Sequence, residues 1–357
     1  MKKFRILTIN PRVTTTEVAL YENEVPLLEY VIAHTSDELT KHAIISAQYV
    51  LRANHILAFL VEKGINLSKI QAVCGRGGLL KPIDGGTYSV NSIMVKELLE
   101  QSRGEHPSNL GALIAFEIAT HLDISAYIVD PVVVDEMEDL ARITGYPGID
   151  RKSVFHALNH KACGRRAALE LGKKYEDINL IVAHMGSGIT IGAHSKGKVI
   201  DVNNGFNGEG PFSLERSGTI PPGDLIDLCY SGQFTYEEMK HQLLFHSGLK
   251  AYMANSDMTS IESLLPKETD SNILYLKALA YQVAKEIGSA STVLYGKVDG
   301  IILTGELAFS HLFVNLIMER VDWIADIMVY PGEDELQSLT NGCLRVMRKE
   351  EEAKEYI

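Results

Sequence analysis

The chain is 357 residues long, 46% apolar and 22% charged, with a formal net charge of −12 at pH 7. That length suits two domains of ordinary size with packed cores. The acidic balance argues against a nucleic-acid partner, because phosphate backbones attract basic surfaces. It leaves room for an anionic substrate held by a local arginine cluster.

Residues 4–9 read as a strand, residues 10–16 as a polar break, residues 18–21 as a second strand, Glu22-Asn23-Glu24 as a turn, and residues 25–32 as a third extended run. Apolar residues at three- and four-residue spacing predict a helix over 41–63, stopped by Gly64. A short buried strand at 70–74 runs into Gly75-Arg76-Gly77-Gly78. Helices follow over about 91–101 and 108–121, then a strand at 126–129 ending at Asp130-Pro131. Gly145-Tyr146-Pro147-Gly148 marks a break, and 151–172 reads as helical. From Asn179 the opening pattern returns: strand 180–183, the turn His184-Met185-Gly186-Ser187-Gly188, strand 189–194, turn 195–198 and a third strand from Val199. Helices are predicted near 223–231, 235–246 and 270–295. Strands follow at 301–304 and 327–330, then a last helix over about 333–350 with a solvated charged tail, 348–355. Strands alternating with helices, with one unit occurring twice, predict an α/β protein of two duplicated domains whose hairpins face one cleft. The expected division is 1–150 and 151–332, with 333–357 packing back on the first domain.

The cysteines Cys74, Cys163, Cys229 and Cys343 are far apart and show no zinc or paired-thiol spacing, which predicts reduced, mostly buried thiols in a cytoplasmic protein. No basic-then-apolar leader opens the chain. No apolar run approaches the roughly 18 residues of a membrane span, so no membrane partner is expected.

Several residues have side chains suited to chemistry. A Gly/Ser turn between two strands exposes backbone N–H groups that can cradle phosphate oxygens, although an ordinary tight hairpin reads the same way. Arg76, among glycines past a strand end, has the paired donors that grip a carboxylate or phosphate, or is a surface arginine on a flexible loop. Asp130, at a strand end, can bind a metal, orient a nucleophile, move a proton, or cap the next turn. Asp135, Glu136, Glu138 and Asp139 read as a solvated helix face. His106 and His156 are isolated imidazoles. Arg216, after a glycine-rich loop, can bring positive charge to a phosphoryl group or form a loop salt bridge.

The chain resembles the butyrate kinases of the acetate kinase family over nearly its whole length. The resemblance rests on Gly75-Arg76-Gly77-Gly78-Leu79-Leu80, Gly104-Glu105-His106-Pro107-Ser108-Asn109-Leu110-Gly111, Val129-Asp130-Pro131-Val132-Val133-Val134-Asp135-Glu136, Ala183-His184-Met185-Gly186-Ser187-Gly188, and Pro211-Phe212-Ser213-Leu214-Glu215-Arg216-Ser217-Gly218. It implies the duplicated actin-like, sugar-kinase-like (ribonuclease H-like) fold with a central cleft. It also implies reversible phosphoryl transfer from ATP to a short fatty carboxylate, with Mg²⁺, in a homodimer or higher homo-oligomer. By the same resemblance Asp130, His156 and Arg216 are catalytic, and Arg76 and His106 bind the carboxylate. Asn10, Thr14, Thr16, His184, Gly186, Ser187, Gly188, Asp257, Gly305 and Glu306 meet nucleotide or phosphate. Asn10 and Glu335 hold the metal.

The departures from the family pattern gather on the nucleotide side. Arg12, Val13 and Glu17 stand where the family hairpin has Gly, Ser and Lys. Glu306 replaces a glycine of the adenosine turn, Thr259 an arginine, and Ser187 the middle glycine of the second hairpin. An acid where a cation should meet polyphosphate reverses the sign of that contact. This motivates an alternative, a relative that binds carboxylates or acyl phosphates with ATP binding weakened or lost. A sugar kinase or actin-like ATPase is a third possibility, which the Gly-Arg-Gly-Gly and Gly-Glu-His-Pro segments argue against.

Overall fold

The computed structural model describes residues 2–42, 44–252 and 271–357. The chain forms two compact units, Met1–Val134 with Asp334–Ile357, and Asp135–Glu333.

The first unit opens with an antiparallel meander of β1 (Arg5–Pro11), β2 (Thr15–Glu22) and β3 (Val25–Ala33). The helix Tyr49–Glu62 leads to β4 (Ala72–Arg76), which lies parallel to β1. Its first turn, Ile45–Gln48, is a tighter 3₁₀ turn, so the α-helix begins later than the periodicity suggests. β5 (Thr87–Ser89), the helices Ser92–Glu100 and Asn109–Leu122, and β6 (Ser125–Val129) follow, with β6 parallel to β4. Leu110, Leu113, Ile114 and Ile118 of the longer helix pack on Leu7, Val73 and Ile128 of the sheet to form the core.

The second unit repeats the plan. β7 (Asn179–Met185), β8 (Ile189–Ser195) and β9 (Lys198–Val202) form a meander. The helix Ser271–Val293, β10 (Gly300–Gly305), the helix His311–Val321 and β11 (Ile327–Pro331) then extend the sheet in parallel. The sheet order is β11-β10-β7-β8-β9. These two helices cover one face of the sheet, and the helix Ala157–Glu170 covers the other. That helix begins six residues after Arg151. The predicted first turn is irregular because the Arg151 guanidinium is drawn to Asp201 at 2.8 Å, Glu209 at 3.2 Å and the Ala141 carbonyl at 2.9 Å.

The helix Glu335–Met347 and β12 (Lys354–Glu355) return the chain to the first unit, completing the order β12-β5-β6-β4-β1-β2-β3. Within each sheet the meander and its two parallel neighbours share one order, and both meanders carry an irregularity between the second and third strands, at Leu20/Tyr21 and Ala193/His194.

Two charged segments differ from the sequence reading. The tail is docked as well as solvated: Lys349, Glu350, Glu352 and Glu355 are exposed, but Lys354–Glu355 pairs with Tyr88–Ser89, Tyr356 is buried with its hydroxyl donating to Glu97 at 2.6 Å, and Arg348 reaches Glu24 at 2.6 Å. The 135–139 run is not a free helix face. Glu136 is paired with the buried Lys161 at 2.9 Å and accepts from Val199 N, while Asp135 takes a two-point bond from Arg142. Both segments gained their partners through tertiary contacts that sequence distance conceals. Three cysteines are buried and Cys229 is exposed. Among the described residues no helix is long and apolar enough to cross a membrane.

Candidate active site

Each unit is best read at the C-terminal ends of its parallel strands, where α/β sheets bind ligands. In the first unit the register sets Ile9 beside Gly75 and Arg76 beside Val129, so Asn10, Arg76 and Asp130 sit at three adjacent strand ends. Asn10 is fully buried. Its Nδ2 donates to Glu17 at 2.5 Å and to Glu335, and its Oδ1 accepts from Arg76 Nη1 at 3.3 Å. Arg76 Nη1 lies 2.5 Å from Glu335 Oε1. Arg12 reaches Glu335 Oε2 at 2.7 Å and Glu17 Oε1 at 3.2 Å. Two guanidiniums and two carboxylates thus close on one amide.

The resemblance assigns Mg²⁺ to Asn10 and Glu335. Mg²⁺ demands oxygen ligands in near-octahedral array. Here Glu335 already receives Asn10, Arg12 and Arg76, and the Asn10 oxygen faces Arg76. Among the described residues no group of three His, Cys, Asp or Glu could hold a metal. This donor set, with its oxygens already on cations and an amide N–H, does not fit a Mg²⁺ bound by these two residues.

The hairpin loop before β2 is held from within by Arg52, a residue the sequence reading passed over as part of a helix. Arg52 is fully buried and donates to the carbonyls of Arg12 at 2.9 Å, Val13 at 2.7 Å and Thr15 at 3.0 Å, and to Thr16 Oγ1 at 3.2 Å. Thr16, expected at phosphate, turns its hydroxyl inward. Its hydroxyl is buried between Arg52 and His34 Nε2, 2.8 Å away, so it braces the loop. Burial, aided by Arg52, pushes His34 down to about 4. Thr14 is exposed, with its carbonyl accepting from His34 N at 2.9 Å.

The glycines beside Arg76 serve close packing rather than an open loop. A Cβ on Gly75 would lie 2.0 Å from the Gly111 carbonyl oxygen, and one on Gly111 would lie 2.2 Å from the Arg76 carbonyl oxygen. The strand end and the helix Asn109–Leu122 therefore meet backbone to backbone, which fixes where Arg76 emerges. Asp130 is buried with φ +37°, a conformation rarely adopted away from glycine. It is held there by Gly86 N donating to its Oδ1 at 2.6 Å and by its own N–H donating to the Gly86 carbonyl at 3.0 Å. Backbone strain of this kind gathers at functional sites. His106 receives the Ser108 N–H on Nδ1 at 3.2 Å, which places its proton on Nε2. Burial and then Arg76 lower its pKa, favouring the neutral ring.

In the second unit the turn Gly186-Ser187-Gly188 follows β7, and the loop bearing Arg216 docks on it. Ser213 Oγ donates to the Ser187 carbonyl at 2.5 Å, and Arg216 Nη1 donates to the Gly205 carbonyl at 2.8 Å. A Cβ on Gly188 would lie 2.5 Å from Arg216 Nη1, so the missing side chain is the seat of the guanidinium. The tight hairpin and the cation that sequence left separate are one structure. Burial lowers the Arg216 pKa from a value so high that the cation persists.

His156 immediately precedes the helix Ala157–Glu170, with no capping bond from its side chain, and stacks on His184 with centroids 3.8 Å apart. Its Nδ1 lies 3.0 Å from Thr190 Oγ1. His184 is fully buried, with Nδ1 2.9 Å from Asn159 Oδ1 and Nε2 3.0 Å from Glu333 Oε1, out of line for a hydrogen bond. Thr190, Asn159 and Glu333 were not singled out from sequence. The His156/His160 spacing of four along one helix face was the available signal. Gly305, at φ +89°, closes β10 against Met185, where a Cβ would lie 2.5 Å from the Met185 carbonyl oxygen. Glu306 next to it is exposed. Asp257 and Thr259 lie outside the described residues.

Residues 145–325, about half of the chain, match the model of the acetokinase family. The structure is similar to acetate kinase from Porphyromonas gingivalis, with a TM-score of 0.79 at 18% identity over 96% of this chain and 99% of that one. It is also similar to acetate kinase from Entamoeba histolytica, with a TM-score of 0.72 at 18% identity over 95% of this chain and 98% of that one. Propionate kinase from Francisella tularensis gives 0.70 at 18% identity, again over 95% and 98%. The fold is the duplicated actin-like α/β fold that sugar kinases share. The chain belongs to the acetokinase family.

Proposed function

We propose that this protein transfers the γ-phosphoryl group of ATP, reversibly, to a short fatty carboxylate, with butyrate the favoured acid. Family membership supports a carboxylate phosphotransferase. The choice of butyrate rests on the motifs around Arg76, His106, Asp130 and Arg216. The observation that carries the proposal is the Arg216 guanidinium seated on the Gly186–Gly188 turn. A fixed cation beside a turn that carries no bulky side chain suits a phosphoryl group whose equatorial oxygens gain charge in flight.

The acceptor is already a carboxylate at neutral pH, so no general base is required. Its oxygen attacks the γ-phosphorus, the bond to the bridging oxygen breaks, and ADP leaves with that electron pair. Arg76 bonds within its unit through Nη1, which leaves Nε and Nη2 to grip the acid. Asp130 orients the acid electrostatically, and His106 is a neutral Nε2–H donor beside it. Arg216 and His156 meet the transferring oxygens, and His184 to Gly188 hold the phosphates. ATP and Mg²⁺ come with the family reading. No step is assigned to a metal on Asn10 and Glu335, because Arg12 and Arg76 occupy that carboxylate. A homodimer or higher assembly belongs to the same proposal.

A second reading, a carboxylate-binding relative without turnover, is favoured by one observation: Glu17 presents an acid on the first hairpin, tied to Asn10 and Arg12. Trapping acyl phosphate with hydroxylamine separates the two. With ATP and a series from acetate to butyrate, acyl hydroxamate is expected, most with butyrate. Butyrate binding by calorimetry with no hydroxamate from any acid would establish the second reading instead.

A further inference from the structure

Behind His156 runs a continuous file of buried groups that phosphoryl transfer does not touch. Thr190 Oγ1 lies 3.0 Å from His156 Nδ1 and 2.9 Å from His160 Nε2. His160 Nδ1 lies 3.3 Å from His194 Nε2, and His194 Nδ1 lies 2.7 Å from the Tyr175 hydroxyl. His160 and His194 are fully buried, and Thr190 and Tyr175 nearly so. Gly164 makes room for the Tyr175 ring, since a Cβ there would lie 2.7 Å from Cε2.

His160 and His194 each use both ring nitrogens, and Thr190 has one proton for two neighbours. A neutral ring with two partners donates at one nitrogen and accepts at the other. Burial lowers both buried imidazoles well below their ordinary values, with Lys161 and Arg165 adding to the effect at His194, so both rings are neutral. The two bonds of each buried ring must therefore point the same way along the file from Tyr175 to Thr190, and a Thr190 hydroxyl that accepts from His160 has its own proton to give to His156 Nδ1, 3.0 Å away. The terminal pair decides it. A phenol is a far better proton donor than a neutral imidazole N–H, and the imidazole lone pair is the better acceptor. A separation of 2.7 Å is typical of an O–H donor.

We propose that Tyr175 sets a one-way chain, Tyr175 O–H to His194 Nδ1, His194 Nε2–H to His160 Nδ1, His160 Nε2–H to Thr190 Oγ1, and Thr190 O–H to His156 Nδ1, which holds His156 with its proton on Nε2. Tyr175, His194, His160 and Thr190 are positioning residues. Through them His156 meets a phosphoryl oxygen as a donor and not as a lone pair, which like charge would repel. The catalytic use of this donor rests on the function proposed above. The tautomer itself does not.

The experiment reads tautomers directly, by long-range ¹H–¹⁵N correlation on the full chain carrying ring-¹⁵N histidine, with His156→Asn, His160→Asn and His194→Asn for assignment. In the wild-type protein all three rings carry the proton on Nε2. In Tyr175→Phe, which keeps the packed ring and removes the donor, His156 gains a measurable Nδ1–H fraction. In the acyl-phosphate assay kcat falls roughly 3- to 10-fold with KM for the carboxylate unchanged. Thr190→Val cuts the chain next to His156 and gives the same redistribution should Tyr175→Phe not fold. An Nδ1–H ring at any of the three positions in the wild type overturns the proposal. So does a folded Tyr175→Phe or Thr190→Val protein whose His156 tautomer is unchanged. Inactivity of the wild type with every carboxylate would sink the assigned function while leaving the tautomer result to stand or fall alone.

Discussion

The two hairpins of this protein share a topology and solve opposite problems. In the first unit the loop between β1 and β2 is held by charge: Arg52 draws its carbonyls inward, while Arg12 and Arg76 close on Glu335 and Asn10. In the second unit the turn between β7 and β8 is held by the absence of side chains, and one guanidinium, Arg216, lies on the vacated glycine. Duplication copied the strand order and left the chemistry to diverge. The ends of the first unit's parallel strands, its rim, present Arg76 with Nη1 already on Glu335, and the proposed function gives this guanidinium the carboxylate. The second unit's rim presents the Arg216 guanidinium on a turn that carries no bulky side chain.

The largest way to break this contrast is at the second rim. Arg216→Ala should lower kcat by about 10³-fold with KM for the carboxylate little changed, because the cation acts on charge that develops in transfer. At the first rim the largest effect is on stability. Arg52→Met takes the donor from the Arg12 and Val13 carbonyls, while the Thr15 carbonyl keeps Arg12 N–H, and should cost on the order of 3 kcal/mol in urea unfolding, with faster hydrogen exchange in residues 12–16. A subtler change sharpens the role of the glycine seat. Gly188→Ala puts a methyl where Arg216 Nη1 lies and should reduce kcat about 10²-fold with stability nearly intact, since a small misplacement of a positioned group is costly.

The smallest effect is one of pH. His34 ionises near 4 in the folded protein, below its ordinary 6.5. Between those values the unfolded chain takes up a proton that the folded protein refuses. The contribution is whole above about pH 6.5 and is lost progressively as pH falls toward 4, on the order of 2 kcal/mol. Urea unfolding from pH 7 to 4.5 should show this slope, and His34→Gln should flatten it.

Much of the fold was legible because the periodicities are strong. The alternating runs of both meanders and the spaced apolar residues of 109–122 and 271–293 specify their elements locally. β5 and β12 were missed because three and two residues are too few to show a period, and the second pair is charged. Asn10, Arg76 and Asp130 were legible as polar residues at strand ends. What surrounds them was not: Arg12 and Glu335 meet across 323 positions of sequence. The glycines around Arg76 looked like a flexible loop, because sequence cannot distinguish a glycine that bends from one that lets a helix approach. The imidazole file was hidden for a similar reason, since each histidine is unremarkable until the sheet lines them up.

The division of labour between the two rims is tested most directly by Arg76→Ala, with KM measured separately for each substrate. Glu335 keeps Asn10 and Arg12 as partners, so the variant should fold. The account predicts a KM for butyrate raised about 100-fold, the loss of a charge-assisted grip, with KM for ATP unchanged. A KM for ATP that rises while that for butyrate holds would contradict it.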